Sequence, residues 1–356
     1  MTQRLHGGNV SEAAQRYGLA EDDILDFSAN VNPLGPSPAS LKAARTSLAA
    51  VGRYPDSDTP ELKAACARYF GVRPDQVLCG NGSIGLIHLI PRVFRPKRVL
   101  ITAPTFTEYA AAVADAGGTV VSFPLREQDG FRVDPLELAP QLKGVDMAIL
   151  CNPNNPTGRL VKKVEMDRIV QDTLDAGVKL VVDEAFMDFA ESESIARTAT
   201  EFPHVVCIRA FTKFFALAGL RIGYLLSHEA NIQALRAGQE PWTVSVPAER
   251  AAVAALRDER YISKTHRLVT RERLWLQSML RQLPGIEPFD GSANFLFAKL
   301  NSTDAGKLAH ALGCRGILVR DCSSFPGLGN QYVRIAVRTR RENERLAHVL
   351  ASVLAG

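Results

Sequence analysis

From about residue 60 to residue 230, short runs of β-branched and other apolar residues alternate with longer stretches whose apolar positions recur at helical spacing. The short runs suit strands buried on both faces, and the longer stretches suit helices that cover them. The strands predicted are residues 76–79, 98–102, 119–123, 147–151, 179–182, 205–209 and 222–226, with a helix over 161–176 among the connections. This alternation predicts an α/β fold with a mostly parallel, seven-stranded sheet. Residues 247–282 are charged and amphipathic and read as one long helical connector leading out of the sheet. After it, 294–299, 318–319 and 332–337 predict strands of a small α+β domain, closed by a helix over 341–354. The first 25 residues hold Gly7-Gly8 and one short helical pattern, which predicts an arm laid over another part of the molecule. The expected division is an N-terminal arm or small-domain segment at 1–27, a large domain at 28–246 and a small C-terminal domain at 247–356.

Composition narrows the picture. A chain of 356 residues is too long for one compact core, which agrees with a large and a small domain. Net charge is +4, spread without basic blocks, which argues against a nucleic-acid partner. No apolar run approaches the ~20 residues that span a bilayer, and Met1–His6 lacks the apolar core of a signal peptide. The six cysteines are scattered without a Cys-x-x-Cys pair. They are expected as reduced thiols in a cytoplasmic protein, with no metal site.

Four motifs carry candidate chemistry. Gly80-Asn81-Gly82-Ser83-Ile84-Gly85 follows a predicted strand and opens a helix, where free N–H groups and the helix dipole suit a phosphate. The same letters match a dinucleotide fingerprint, but the next strand ends in Thr102-Ala103-Pro104 without the acid that would hold a ribose. A purely structural turn is the third reading. Cys151-Asn152-Pro153-Asn154-Asn155-Pro156-Thr157-Gly158 ends a strand, where α/β proteins place ligands, though its residues also favour plain turns. Asp183 ends the next strand, as a ligand-facing carboxylate or as a helix cap. Finally, Lys213 follows Thr212, and Arg221 comes eight residues later. An amine and a guanidinium at that distance suit a cofactor with an aldehyde and a phosphate.

In this order and approximate spacing, the four motifs resemble those of fold-type I, class I/II pyridoxal 5'-phosphate enzymes, and the likeness runs over nearly the whole chain. The resemblance implies the fold-type I transferase fold and that cofactor. Gly82, Ser83, Ile84, Thr212 and Arg221 would then hold its phosphate. Asn155 would donate to its phenolic oxygen, Asp183 pair with its ring nitrogen, and Phe106 stack on the ring, a core phenylalanine being the plainer reading. Lys213 would bind it covalently. Arg53-Tyr54-Pro55 resembles the segment whose tyrosine reaches the phosphate of the other subunit, which implies a homodimer.

Two subfamilies share these motifs: histidinol-phosphate aminotransferases and threonine-phosphate decarboxylases of cobalamin synthesis. His6-Gly7-Gly8-Asn9, Val31 within Asp26–Gly35, Phe186 in place of a tyrosine, and Arg338 after Arg334 side with the decarboxylases, and Pro241-Trp242 points the same way. That likeness implies a small phosphorylated amino acid as substrate. Arg334 would take the α-carboxylate. Arg320 with the N-terminal residues would take the phosphate, and Arg338, His6, Asn9 and Asn32 complete the expected anion trap. Two departures touch the cofactor side: Ala210 replaces a serine often found three residues before the lysine, and Ser245 stands where asparagine is more usual. A regulator that binds without turnover would predict damage to Lys213, Asp183 or Asn155, and all three are present.

Overall fold

A computed structural model describes residues 7–355; the expectation for His6 lies outside them. Thirteen strands are found among the described residues: β1 Leu25–Asp26, β2 Val77–Asn81, β3 Arg98–Ala103, β4 Thr119–Pro124, β5 Met147–Cys151, β6 Lys179–Asp183, β7 Val205–Ala210, β8 Ile222–Ser227, β9 Ile286–Pro288, β10 Phe295–Leu300, β11 Ile317–Leu318, β12 Arg320–Asp321 and β13 Tyr332–Ala336. Seven of them form a sheet in the order β2-β8-β7-β6-β5-β3-β4. Strand β8 runs antiparallel to both neighbours, and the pairs from β7 to β4 are parallel.

The apolar runs explain this sheet. Along β5, Ala148 and Leu150 enter one buried layer, and Met147, Ile149 and Cys151 enter the other. Leu180 and Val182 of β6 separate from Val181 in the same way. These central strands therefore bury both faces, as a sheet covered by helices on both sides requires, while the edge strand β4 is largely exposed. Burial of that kind, at roughly 25 cal/mol per Å² of apolar surface, is the main force holding the layers together.

A second, antiparallel sheet has the order β12-β13-β10-β9. Its apolar face packs with Leu276 and Leu280 of helix Glu259–Gln282 and with Leu346 and Leu350 of helix Arg340–Ala355. The expected connector over 247–282 is two helices, Val246–Leu256 and Glu259–Gln282. They part at Arg257-Asp258, where the Asp258 side chain caps the second helix by accepting from the Tyr261 N–H at 3.0 Å. The expected strand at 318–319 is also divided. Ile317 and Leu318 pair in parallel with Leu25 and Asp26, while Arg320 and Asp321 join β13. Near the start, helix Val10–Tyr17 lies against helix Ala305–Gly313, and the Tyr17 ring occupies the space a Cβ on Gly313 would need.

Candidate active site

Parallel strands expose their C-terminal ends along one edge of the large sheet, and the loops leaving β3, β5, β6 and β7 meet there. They enclose a cavity of about 600 Å³. Ser83, Ile84, Phe106, Asn155, Asp183, Phe186, Thr212, Lys213, Arg221, Arg320 and Arg334 line it, so most of the expected site residues are brought together.

The glycine-rich turn is shaped by contact. Gly82 opens helix Gly82–Phe94 at φ +68°, and a Cβ there would stand 2.8 Å from Nη2 of Arg221. On β8, a Cβ on Gly223 would meet the Ser83 nitrogen at 2.4 Å. These two glycines let the helix N-terminus, the Ser83 backbone and the Arg221 guanidinium crowd into one corner, with Thr212 on the same cavity. Strand β2 pairs with β8 alone, antiparallel, so the parallel βαβ setting of a dinucleotide fingerprint is missing.

The asparagine loop is braced from inside. Asn152 donates to the Val161 carbonyl at 2.9 Å and accepts from the Val161 N–H at 2.8 Å, closing the loop. Asn154 donates to the Pro104 carbonyl and to Thr157 Oγ1, and accepts from Thr105 Oγ1 at 2.7 Å. With its neighbours so engaged, Asn155 is the one turned into the cavity, where Oδ1 accepts from Nη1 of Arg334. Arg334, on β13, also donates to the Ser28 carbonyl at 2.7 Å, and its Nε has no partner. Burial pulls its guanidinium down to about 10.

Asp183 accepts from the Tyr109 hydroxyl at 2.6 Å and from the Ala185 N–H at 2.9 Å. Burial raises its pKa, against those two bonds and the Lys213 charge. Lys213 Nζ lies 5.7 Å from the centre of the Phe186 ring, which itself packs edge-on against Phe295. Burial first, then the Arg334 and Arg221 charges, pulls the amine down to about 8. Such an amine is far more often neutral, and thus nucleophilic, than an exposed lysine.

Several expected residues lie off this chain's cavity. Asn32 does not line the cavity. Its Nδ2 donates to the Phe214 carbonyl, Tyr261 Oη and Thr265 Oγ1 at 2.8–2.9 Å, and its Oδ1 accepts from the Leu34 N–H, so every polar atom of the side chain is committed to bracing the Lys213 loop. Arg338 lies over the Phe27 ring and donates twice to Glu342 and once to the Asp26 carbonyl, away from the cavity. Asn9 donates to Glu12 and borders a neighbouring cavity of about 310 Å³, which reaches the main one through Arg320, Ser28 and Gly7. Tyr54 is 81% exposed and packs at a tilt against the Trp242 ring, outside the cavity. Ser245 caps helix Val246–Leu256, and Ala210 is buried against Phe186 and Phe295.

Two contributors were missed in the sequence. Asn30 is 1% exposed, lines the cavity, and neither polar atom of its side chain has a partner. It lies two residues before Asn32, and nothing in Asn30-Val31-Asn32 marks which amide faces inward. Tyr109 was the other; its position three residues after Phe106, one helical turn, was the available signal.

The donor set fits pyridoxal phosphate. A helix N-terminus, two hydroxyl residues and a guanidinium share a corner, an amine of lowered pKa lies between them and a buried carboxylate in strand order, and Asn30 and Arg334 offer unpartnered polar atoms. Comparison with known proteins agrees. The aminotransferase class I and II family matches residues 22–350. A threonine-phosphate decarboxylase of Salmonella typhimurium is 36% identical over 99% of this chain and 97% of its own length. A histidinol-phosphate aminotransferase of Roseiflexus castenholzii is 38% identical over 96% of this chain and 92% of its own. The crystal structure of histidinol-phosphate aminotransferase from Sinorhizobium meliloti in complex with pyridoxal-5'-phosphate is similar with a TM-score of 0.86 at 26% identity, covering 99% of this chain and 96% of that one. The chain therefore belongs to the aminotransferase class I and II family, and its cofactor is pyridoxal 5'-phosphate.

Proposed function

We propose that this enzyme decarboxylates L-threonine-O-3-phosphate to (R)-1-amino-2-propanol O-2-phosphate and CO2, a step of cobalamin biosynthesis. The observation that carries the reading is the presence, besides Arg221, of two guanidinium groups, Arg320 and Arg334, on the cavity that holds Lys213. They suit a substrate with both a carboxylate and a phosphate. Full-length similarity to the Salmonella decarboxylase supports it. Phe186, without a hydroxyl, lines the cavity as that reading expects, whereas Arg338 no longer contributes to the choice.

When bound, pyridoxal phosphate supplies an electron sink for the pair left by a bond broken at the substrate α-carbon. Arg334, oriented by Asn155 and the Ser28 carbonyl, takes the α-carboxylate. Arg320 takes the phosphate, and Asn30 lines the same cavity. Anchoring both anions fixes which α-carbon bond is aligned for cleavage. Phe106 and Phe186 exclude water from that bond. Lys213 Nζ returns a proton to the α-carbon after CO2 leaves. In this reading the active unit is a homodimer in which the exposed Tyr54 completes the phosphate corner of the partner. Its six unpaired cysteines suit a cytoplasmic location.

The deciding experiment supplies L-threonine-O-3-phosphate to the holoenzyme without any keto acid and follows CO2 over many turnovers. Sustained release supports the decarboxylase. No release, with histidinol phosphate and 2-oxoglutarate turning over instead, replaces this reading with the aminotransferase.

A further inference from the structure

Three carboxylates converge on one buried guanidinium that takes no part in the chemistry above. Arg209, on β7, is 0% exposed. Its Nη1 donates to Glu184 Oε2 at 2.9 Å, and its Nη2 donates to Asp188 Oδ1 at 2.8 Å and to Glu191 Oε2. Glu184 is further held by Ser194 Oγ at 2.6 Å and by the Ile195 N–H at 2.8 Å. Position gives the cluster its interest. Arg209 stands four residues before Lys213, and Glu184 lies between Asp183 and the Ala185-Phe186 turn. The cluster therefore ties the segment presenting Lys213 to the one presenting Asp183 and Phe186.

Its charges do not balance. One guanidinium against three ionised carboxylates leaves a net charge of −2 in an apolar layer, where unpaired charge is costly. The other titratable groups facing it are Tyr69, Tyr224, Cys66 and Cys207, with His266 beyond Asp188. None supplies a second cation, since burial lowers the pKa of His266 and raises those of the phenols and thiols. Asp188 Oδ2 also lacks a partner. A proton must be retained, and Glu191, whose side chain is 33% exposed, is the member in reach of solvent.

We propose that Glu191 is a positioning residue: by gaining and losing a proton it sets how firmly Arg209 holds the Asp183–Phe186 turn beside Lys213. Protonated, it leaves Arg209 to Glu184 and Asp188. Ionised, it competes with Asp188 for the same Nη2 and adds repulsion. Burial pushes the Glu191 carboxyl up to about 7, against the pull of Arg209. The folded state thus holds a proton that the unfolded chain, at an ordinary 4.5, has released. The associated stability is present at low pH and is lost as pH rises through about 7. The inference rests on the family cofactor and holds for either substrate.

The test uses holoenzyme with whichever substrate it turns over, comparing wild type with Glu191→Gln and Asp188→Asn. In wild type, the thermal midpoint falls between about pH 4.5 and 7, and kcat steps down between about pH 6 and 8, with KM unchanged. In Glu191→Gln both pH dependences flatten, and the infrared band of a protonated carboxyl that titrates in this range disappears. A wild-type-like slope and kcat step in Glu191→Gln overturns the proposal, as does their loss only in Asp188→Asn. Should Glu191→Gln fail to fold, the wild-type spectrum still decides, because no carboxyl titrating in that range also overturns it.

Discussion

The Tyr109 hydroxyl donates to Asp183 Oδ2 at 2.6 Å, a bond between the helix after β3 and the end of β6, 74 residues apart in the chain. Burial works to protonate Asp183, and this bond is one of two that keep its carboxylate form. Tyr109→Phe removes it while preserving the ring. The expected result is a fall in kcat of about tenfold, equivalent to ~1.4 kcal/mol, with weaker cofactor retention on dialysis. Unchanged kcat and unchanged retention would show that the Ala185 N–H is sufficient.

Lys213 makes a pH prediction displaced below that of an ordinary lysine. Its amine is lowered to about 8 from 10.5, so its neutral fraction grows as pH rises through about 8. Capture of pyridoxal phosphate by apoenzyme, trapped with borohydride and located by peptide mass, is expected to rise with a midpoint near 8. A midpoint near 10.5 would mean that burial and the two arginines do not act on this amine.

Asn30 and Asn32 are expected to fail differently. Asn32→Ala strips partners from buried oxygens and is expected to cost about 2 kcal/mol of stability, with little change in turnover per folded molecule. Asn30→Ala removes an amide whose polar atoms have no partner within the protein. Stability is expected to hold while KM rises about tenfold, as for loss of one hydrogen bond of ~1.4 kcal/mol. Denaturant melts alongside steady-state kinetics separate the two, and a reversed pattern would return Asn32 to the substrate.

The arginines form a second contrast. Arg320→Ala is expected to lower kcat/KM by at least about a hundredfold, the loss of a charged anchor worth roughly 3 kcal/mol. Arg338→Ala leaves kinetics unchanged and lowers the melting temperature, because Arg338 serves Glu342 and the Asp26 carbonyl. Equal kinetic losses in both would place Arg338 in the anion trap after all.

Tyr54 tests the proposed assembly. Mixed Tyr54→Ala and Lys213→Ala enzymes, each inactive alone, are expected to regain activity on refolding together, since a hybrid dimer holds one intact site. No recovery, with hybrids demonstrated by mass, would confine Tyr54 to its own subunit.

The sequence by itself determined the large sheet and several of the residues that gather at its edge. All seven strands were legible because each is a short run of apolar and β-branched residues that depends on no distant residue; six are buried almost throughout, and β4 is an exposed edge. Asn155, Asp183, Lys213 and Arg221 were legible because each sits at or next to a strand end, where local order and spacing carry the site. Which amide faces the cavity was decided only in three dimensions. Asn32 is claimed by Phe214, Tyr261 and Thr265, 182 to 233 residues away, and Asn30 is left facing inward. Arg338 is drawn to the Asp26 carbonyl, 312 residues away, Tyr109 is aimed by Asp183, and Arg209 is surrounded by acids from the turns that follow β6. The physical reason is the same in each case. A polar side chain follows its partners, and here those partners are set by how distant segments pack rather than by neighbours in the chain.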